Sequence, residues 1–340
     1  MKNYNKTAPT LSKDLIITPF NGIDYLIEHK TLNYQIHINK CVYNIISLID
    51  GKKNIPEIAK TYNNSASQNI SEESIHYLLY TKLSKFGIIQ ENEIFVKKRP
   101  KANYLKLSFE LIPSKITISI ANKMQFFFDW KLFNVLIIVL PIFVCSIIFF
   151  FNTEIINGLK SAISPMFIIY IFLFGFWTFI HEFGHASACQ KYGVEPGGIG
   201  FGFYLFSPVL YSDVSQAWRL PRKERIIVNI AGIYFELIAA SFFIIIYLIF
   251  QIELFLIVPC FLFINTLYNL NPLIKYDGYW ILSDAIQIPN LHKESQKTLT
   301  KTLRSKNIKS LNSPKDYFLF FYAIVSGLTP YSLDTIYKSV

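Results

Sequence analysis

The chain has 340 residues, of which 52% are hydrophobic and only 16% are charged, and its mean hydropathy is positive. This composition excludes an ordinary soluble domain and indicates that much of the chain faces lipid. The formal net charge is +10, but the Lys and Arg residues cluster beside apolar segments, as orientation signals do. No nucleic-acid partner is therefore expected, because nucleic acid is bound by a basic face rather than by loops that flank a membrane.

Residues 1–100 are mixed and polar, and they predict a small cytosolic α+β domain. The runs DYLIEHK and YQIHI alternate as strands do. Helical periodicity up to Leu48, a capping-box pattern at Asn54 and an acidic start after Ser71 predict three helices, the last running to Gly87. The residues IIQENEIFV then predict a terminal hairpin.

This order of strands, helices and hairpin resembles the PqqD-like domains that recognise precursor peptides. The resemblance covers residues 20 to 97 and rests on the phrases YQIHINKCVYNIISLIDGKKNIPEIAKTY and ISEESIHYLLYTKLSKFGII. It implies a domain that presents a peptide substrate, or one that recognises a partner such as a peptide-modifying enzyme or a transporter. A generic winged-helix module is the alternative, because the pattern contains no catalytic motif.

Residues 101–131 predict a linker with an interfacial helix, because SKITISIANKMQFFFD mixes apolar residues with two lysines. Residues 132–340 predict a membrane-embedded all-α domain. An apolar helix needs roughly 17 to 25 residues to cross a hydrocarbon core about 30 Å thick. Four to five transmembrane helices are expected, the fifth being short, at residues 132–151, 163–189, 226–250, 254–270 and 317–333.

The distribution of charge orients these segments. Lys and Arg residues are dense after the second and fourth predicted spans, whereas the loops after the first and third contain few charges. By the positive-inside rule, the dense loops and the N-terminal domain lie in the cytoplasm. No apolar stretch follows the basic start MKNYNKTAPTLSKDL, so no cleaved signal is expected. We therefore expect an integral protein of the cell membrane, with the lipid bilayer as a partner.

A candidate metal site lies near the inner end of the second span, in the run FWTFIHEFGHASACQ. His181 and His185 are four residues apart, so they share one face of a helix and can bind one metal ion. Glu182 lies close enough to reach a metal-bound water without being a ligand, which is the HExxH arrangement. Incidental interfacial residues are the alternative, but such polar groups are costly in a span unless they are paired or metal-bound.

A catalytic zinc normally has three protein ligands and one open position, so a third ligand is needed. The end of the fourth span reads NTLYNLNPLIKYDGYW. Pro272 ends the helix, and the turn dipeptide Asp277-Gly278 then lies at the cytosolic membrane face, as the histidines do. Asp277 is the candidate, and an ordinary interfacial turn is the competing interpretation.

The two motifs together resemble those of the site-2 protease family of membrane zinc metalloproteases, which pair HExxH with NxxPxxxxDG. The resemblance spans residues 163 to 284 and is greatest to the branch of peptide zinc metalloproteases found with peptide-modification systems. It implies one Zn²⁺ per chain bound by His181, His185 and Asp277, with Glu182 as the catalytic base and Asn269 near the scissile carbonyl. Capping or packing within the span is the alternative role for Asn269.

The expected function is that of a zinc metalloendopeptidase cutting a precursor peptide or a membrane-associated polypeptide, in the maturation of a ribosomally made peptide. Regulated intramembrane proteolysis of a signalling protein is a second possibility. A third is a non-catalytic membrane protein that binds peptide for export or immunity. The intact Glu182 favours catalysis, because a degenerate relative would lose its base first.

Other polar residues carry weaker expectations. Asn229 and Glu236 are seven residues apart on the third span, so they share a face that points into the bundle and lines a water path. For Glu236, a hydrogen-bonded structural role is favoured over a ligand role. His292 is expected to be solvated. The run PGGIGFGFYLF predicts either an edge strand that pairs with substrate or a structural hairpin.

Overall fold

A computed structural model of the chain describes residues 8–20, 24–31, 34–65, 69–90, 105–161, 166–204, 207–305, 311 and 313–327. The chain forms two compact units, Met1–Asn103 and Tyr104–Val340. Each unit has a hydrophobic core of its own. The described part of the chain is mostly helical, and the first unit also contains a small sheet.

The first unit consists of a three-stranded antiparallel sheet followed by helices. The strand order is β1-β2-β3. The elements are β1 (Leu15–Phe20), β2 (Asp24–His29), β3 (Tyr34–Ile38), α1 (Lys40–Ser47), α2 (Ile55–Ser65) and α3 (Glu72–His76), which continues as a π-helical turn. The predicted strands are β2 and β3, whereas β1 was not predicted. Most of the predicted terminal hairpin lies outside the described residues.

The helix boundaries of this unit follow from local capping chemistry. The amide of Glu57 donates to Asn54 Oδ1 over 3.0 Å, and the amide of Asn54 donates to Glu57 Oε2 over 2.9 Å. This reciprocal pair is the predicted capping box. Ser71 caps α3 by accepting from the amide of Ser74. Gly87 ends the last turn at a φ of 66°, a left-handed conformation that glycine adopts without strain. These predicted boundaries are confirmed.

The second unit is a helical bundle with one small sheet. Its helices are α4 (Ser114–Met124), α5 (Trp130–Phe150), α6 (Asn152–Ser161), α7 (Met166–Lys191), α8 (Arg222–Phe250), α9 (Leu254–Asn269), α10 (Asp277–Ala285), α11 (Leu291–Ser305) and α12 (Pro314–Gly327). Its strands are β4 (Leu105–Ile112), β5 (Ile199–Tyr204) and β6 (Ser207–Ser212). Helix α6 was not predicted, because residues 152–162 were assigned to an outer loop.

Helices occur at all five predicted spans, and two of them have the length and composition to cross a bilayer. Among the described residues these two are α5, with 21 residues, and α8, with 29 residues. Helix α9 is apolar but has only 16 residues. The fifth predicted span extends beyond α12 into residues outside the described part. The apolar helices α5 and α8 suggest association with a membrane.

Helix α8 is the central element of the bundle, and it contacts α5, α7, α9 and α10. Its closest neighbour is α7. Gly184 of α7 faces Ala231 of α8 so closely that a Cβ atom at residue 184 would lie 2.4 Å from the carbonyl oxygen of Ala231. A glycine is therefore required for these two helices to pack at this distance.

The sheet of the second unit differs from the sequence prediction in two respects. Its order is β4-β5-β6 with antiparallel pairing throughout. The segment predicted as a linker contains the strand β4 before the expected helix, α4. Of the two alternatives for the run containing β5, the edge strand is wrong, because β5 pairs on both sides. The hairpin agrees with the structure, because β5 pairs with β6 in antiparallel register. Among the described residues, the edges are β4 and β6.

Candidate metal centre

The motif residues His181 and His185 lie on one face of α7, as their spacing predicts. Both side chains are buried, with about 7% of each residue exposed. Their Nε2 atoms are 3.1 Å apart, and the ring centroids are 4.9 Å apart. Two imidazole nitrogens thus point to the same small volume inside the bundle.

Asp277 completes a group of three potential ligands. Its Oδ2 atom is 3.1 Å from His181 Nε2, and its Oδ1 atom is 3.4 Å from His185 Nε2. One donor atom from each residue lies within 4.8 Å of the other two. The structure therefore brings the two histidines and a carboxylate 92 residues further along the chain into one cluster.

Asp277 lies directly after a break between two helices. Helix α9 ends at Asn269, irregular backbone follows around Pro272, and α10 begins at Asp277. The expectation that Asp277 lies in a simple turn is wrong, because it is the first residue of a helix. Gly278 makes this possible, since a Cβ atom there would lie 2.2 Å from the carbonyl oxygen of Leu270.

The outer nitrogens of the two imidazoles also face acceptors. His185 Nδ1 donates to the carbonyl oxygen of Val228 over 2.7 Å. His181 Nδ1 lies 3.0 Å from Oε1 of Glu236. A histidine that donates through Nδ1 presents an unprotonated Nε2 to a metal, so the hydrogen bond of His185 selects the tautomer that a ligand requires. His181 Nδ1 makes a close contact with the Glu236 carboxylate but no well-aligned hydrogen bond.

Two further observations fit a metal ion at this point. Gly232 of α8 faces both imidazoles, and a Cβ atom there would lie 2.4 Å from His181 Nε2 and 2.5 Å from His185 Nε2. Asp277 Oδ2 is buried and accepts no well-aligned hydrogen bond from the described residues. Two nitrogens and a carboxylate are also the donor set that zinc prefers at catalytic sites. The residues present therefore fit zinc.

The charge state of Asp277 agrees with that fit. Burial by itself would raise the pKa of this carboxyl group, but the facing His185 and His181 lower it further than burial raises it. The net effect is a pKa below the usual range of an aspartate. Asp277 is therefore a carboxylate at neutral pH, which is the form that binds a metal.

A cavity of about 840 Å³ opens onto the cluster. It is lined by Glu182, Asn269 and the three cluster residues, together with apolar side chains and the strand β6. Glu182 is buried, and its carboxylate accepts a hydrogen bond from the backbone of Ser212 at the end of β6. The structure thus places all five predicted site residues around one space, and the volume is sufficient for several residues of an extended peptide.

Asn229 and Glu236 both point into the bundle, as predicted, but they make different contacts. Asn229 lines the cavity and donates to Oδ2 of Asp284 over 3.0 Å. Glu236 does not line the cavity and instead contacts His181. Asp284 and its partner Arg225 were not predicted to belong to the site. The sequence did contain a signal, because each is a charged residue near one end of a helix that lines the cavity.

His292 is only partly exposed to solvent, whereas the sequence prediction was that it is solvated. Its ring stacks on Tyr279, with centroids 4.7 Å apart and planes inclined by 11°. Burial, together with the positive charge of Lys275, lowers the pKa of His292 to about 4. Burial also raises the pKa of Tyr279 to about 12. The histidine is therefore a neutral packing residue at neutral pH.

The fold and the site together define a mostly helical protein with a buried His-His-Asp cluster suited to zinc. The chain is similar to a curated protein, "Putative peptide zinc metalloprotease protein YydH" of Bacillus subtilis (strain 168). It is 28% identical over 209 residues, which cover 58% of this chain and 79% of that protein. No protein-family model and no solved structure matches the chain.

Proposed function

We propose that the chain is a membrane-embedded zinc endopeptidase of the site-2 protease type. The observation that carries this proposal is the convergence of His181, His185 and Asp277 beside Glu182 in one cavity. The similarity to a protein named as a peptide zinc metalloprotease supports it. One zinc ion per chain would be bound by the two Nε2 atoms and the Asp277 carboxylate.

Zinc, when bound at such a site, polarises a carbonyl group and lowers the pKa of a coordinated water to about 7. Glu182 accepts the proton of the attacking water and later donates it to the leaving amine. The backbone hydrogen bond from Ser212 orients its carboxylate within the cavity. Burial of Glu182 removes competing solvent, which strengthens each electrostatic contact at the reacting centre.

Asn269 is proposed to donate a hydrogen bond to the carbonyl oxygen of the scissile peptide bond. It lines the cavity, and its Nδ2 atom lies 3.4 Å from Oε1 of Glu236. One N–H of the amide can be directed to Glu236, and the second remains for the oxyanion of the substrate. A preorganised donor of this kind contributes about 3 kcal/mol to stabilisation of the transition state.

The substrate is proposed to be a ribosomally made precursor peptide that pairs with the edge strand β6. This strand lines the cavity, and it ends at Ser212 beside Glu182. The backbone of an extended peptide that pairs with that edge would run past the His-His-Asp group. The first unit, as a PqqD-like domain, would present the peptide or recruit a modifying enzyme.

The protein is proposed to have four to five transmembrane helices in the cell membrane, with the site and the first unit toward the cytoplasm. The apolar face of α5 supports this arrangement, because Ile138, Ile142 and Phe150 are each more than 60% exposed in the isolated chain. Lipid would cover such residues. The basic loop before α8 supports the orientation.

The test compares purified wild type with Glu182→Gln and Asp277→Ala in detergent. Wild type is expected to contain one zinc and to cut a co-encoded candidate peptide. Glu182→Gln should keep the zinc and lose at least about 100-fold in cleavage rate, whereas Asp277→Ala should lose zinc. Lys191→Ala is a control on α7, since Lys191 is exposed at the end of that helix and does not line the cavity. A zinc-free wild type or a fully active Glu182→Gln would overturn the proposal, in favour of peptide binding without catalysis.

A further inference from the structure

Glu236 is a carboxylate buried in the interior of the helical bundle, and only 2% of the residue is exposed. It lies beside His181, on the side of the ring that faces away from Asp277 and His185. Its Oε1 atom is 3.0 Å from His181 Nδ1, whereas Asp277 faces Nε2 of the same ring. Glu236 is therefore outside the ligand set and in direct contact with one of its members.

Helix α9 holds this carboxylate with three side chains. Thr266 donates to Oε2 over 2.8 Å, Asn265 donates to Oε1, and Asn269 approaches Oε1 at 3.4 Å. Both oxygens thus accept hydrogen bonds, which prevents the carboxylate from rotating away from His181. A group that only accepts is required here, because every neighbour of the two oxygens is a donor.

We infer that Glu236 is a positioning residue that holds the His181 ring with Nε2 directed at the metal. The inference rests on the proposed zinc site. A histidine on a helix can rotate about its side-chain bonds and can carry its proton on either nitrogen. A carboxylate fixed 3.0 Å from Nδ1 limits both freedoms, because its negative charge favours the proton at Nδ1 and its position restricts rotation of the ring.

The alternative is that Glu236 only connects α8 to α9. The two roles differ in what the contact with His181 does. A connecting residue affects the stability of the bundle but leaves metal affinity unchanged once the protein is folded. A positioning residue affects metal affinity and the geometry of the bound ion even in a folded variant.

The decisive variant is Glu236→Gln, which keeps the size of the side chain. Its amide group turns at least one N–H toward a neighbouring donor, so the contact with His181 or the contacts with α9 must be lost. Thr266→Val is a milder second variant, because it removes only the hydrogen bond to Oε2. Ser241→Ala is the matched control, since Ser241 is a buried polar residue of the same helix.

The measurements are zinc affinity by competition with a chelator and the visible absorption of the Co²⁺-loaded protein. Glu236→Gln is expected to weaken zinc binding about 10- to 100-fold and to shift the Co²⁺ bands, which report ligand geometry. Thr266→Val should weaken binding less and Ser241→Ala not at all.

Wild-type affinity and an unshifted spectrum in Glu236→Gln would overturn the inference, even if that variant unfolds at a lower temperature. If Glu236→Gln does not fold, unchanged zinc affinity in Thr266→Val overturns it. Failure of the proposed function is separate, because it requires wild type itself to lack zinc or cleavage.

Discussion

Arg225 and Asp284 form a buried ion pair that joins the first turn of α8 to the last turn of α10. Nη2 and Nε of Arg225 lie 2.6 and 2.8 Å from Oδ1 of Asp284. Arg225 also donates to the carbonyl oxygen of Leu220. Helix α10 begins at Asp277. The ion pair therefore anchors the C-terminal end of the helix whose first residue belongs to the candidate metal site.

Removing one member of this pair should destabilise the protein strongly. Arg225→Ala leaves the Asp284 carboxylate buried without its cation, which is expected to lower the free energy of unfolding by about 3 to 5 kcal/mol. Thermal unfolding in detergent measures the change. Lys297→Ala is the control, because Lys297 forms an exposed pair with Glu294 over 2.7 Å, and its loss should change stability by less than about 1 kcal/mol. Equal effects of the two variants would refute a structural role for the buried pair.

A methyl group at residue 232 should block the metal site. The Cβ atom of Gly232→Ala would lie within about 2.5 Å of both imidazole Nε2 atoms, so one ring must move out of the cluster. We expect zinc affinity to fall at least about tenfold while the helices remain intact. Zinc content and circular dichroism of the variant measure the two properties. The interpretation fails if Gly232→Ala binds zinc as tightly as wild type.

His292 should make the stability of the protein depend on pH. Its pKa is about 4 in the fold, below the ordinary histidine value of 6.5, so the unfolded chain takes up its proton at the higher pH. The contribution to stability is complete above pH 6.5 and is lost as pH falls from 6.5 to 4. Allowing for partial exposure, the loss is about 1 to 2 kcal/mol.

The variant His292→Phe tests this dependence, because phenylalanine keeps the stacking on Tyr279 and cannot be protonated. Unfolding temperatures are compared with wild type between pH 4 and pH 8. Wild type should become less stable relative to the variant as pH falls. A constant difference across the range would show that His292 does not take up a proton on unfolding.

The capping box of α2 should contribute to the stability of the first unit and leave the metal centre unaffected. Asn54→Ala removes the acceptor for the amide of Glu57 and is expected to destabilise the unit by about 1 kcal/mol. Asn64→Ala is the control, since Asn64 is exposed near the end of the same helix. Chemical unfolding and zinc affinity are the measurements. A loss of zinc affinity in Asn54→Ala would contradict the division of the chain into two units that each have a hydrophobic core of their own.

The arrangement of His181, Glu182 and His185 was predictable because their spacing alone sets their relation on one helix. The position of Asp277 required a second argument, since a carboxylate 92 residues away reaches the histidines only if the second and fourth predicted spans run in the same direction and end on the same side. The charge pattern supplied that direction. Helix boundaries at Asn54, Ser71 and Gly87 were predictable for the same local reason, because caps act within four residues.

Contacts that depend on how helices rotate about their axes were not predictable. The contact of Glu236 with His181 requires a particular rotation of α8 against α7, and sequence periodicity leaves that angle open. The pairing of β4 with β5 joins residues 105–112 to residues 199–204, and nothing in either segment identifies its partner. The burial of His292 likewise depends on Tyr279, which reaches it from another helix.

In the proposed mode of binding, the edge strand β6 would also determine what kind of chain can reach the cavity. A polypeptide can add to a strand edge only if its own N–H and C=O groups are unpaired, and a helix has already paired them. A protease of the proposed type would discriminate by conformation before it discriminates by side chain. Segments that are already extended would be cut readily, a membrane helix would first have to unwind, and the folded helices of the protein itself would be spared.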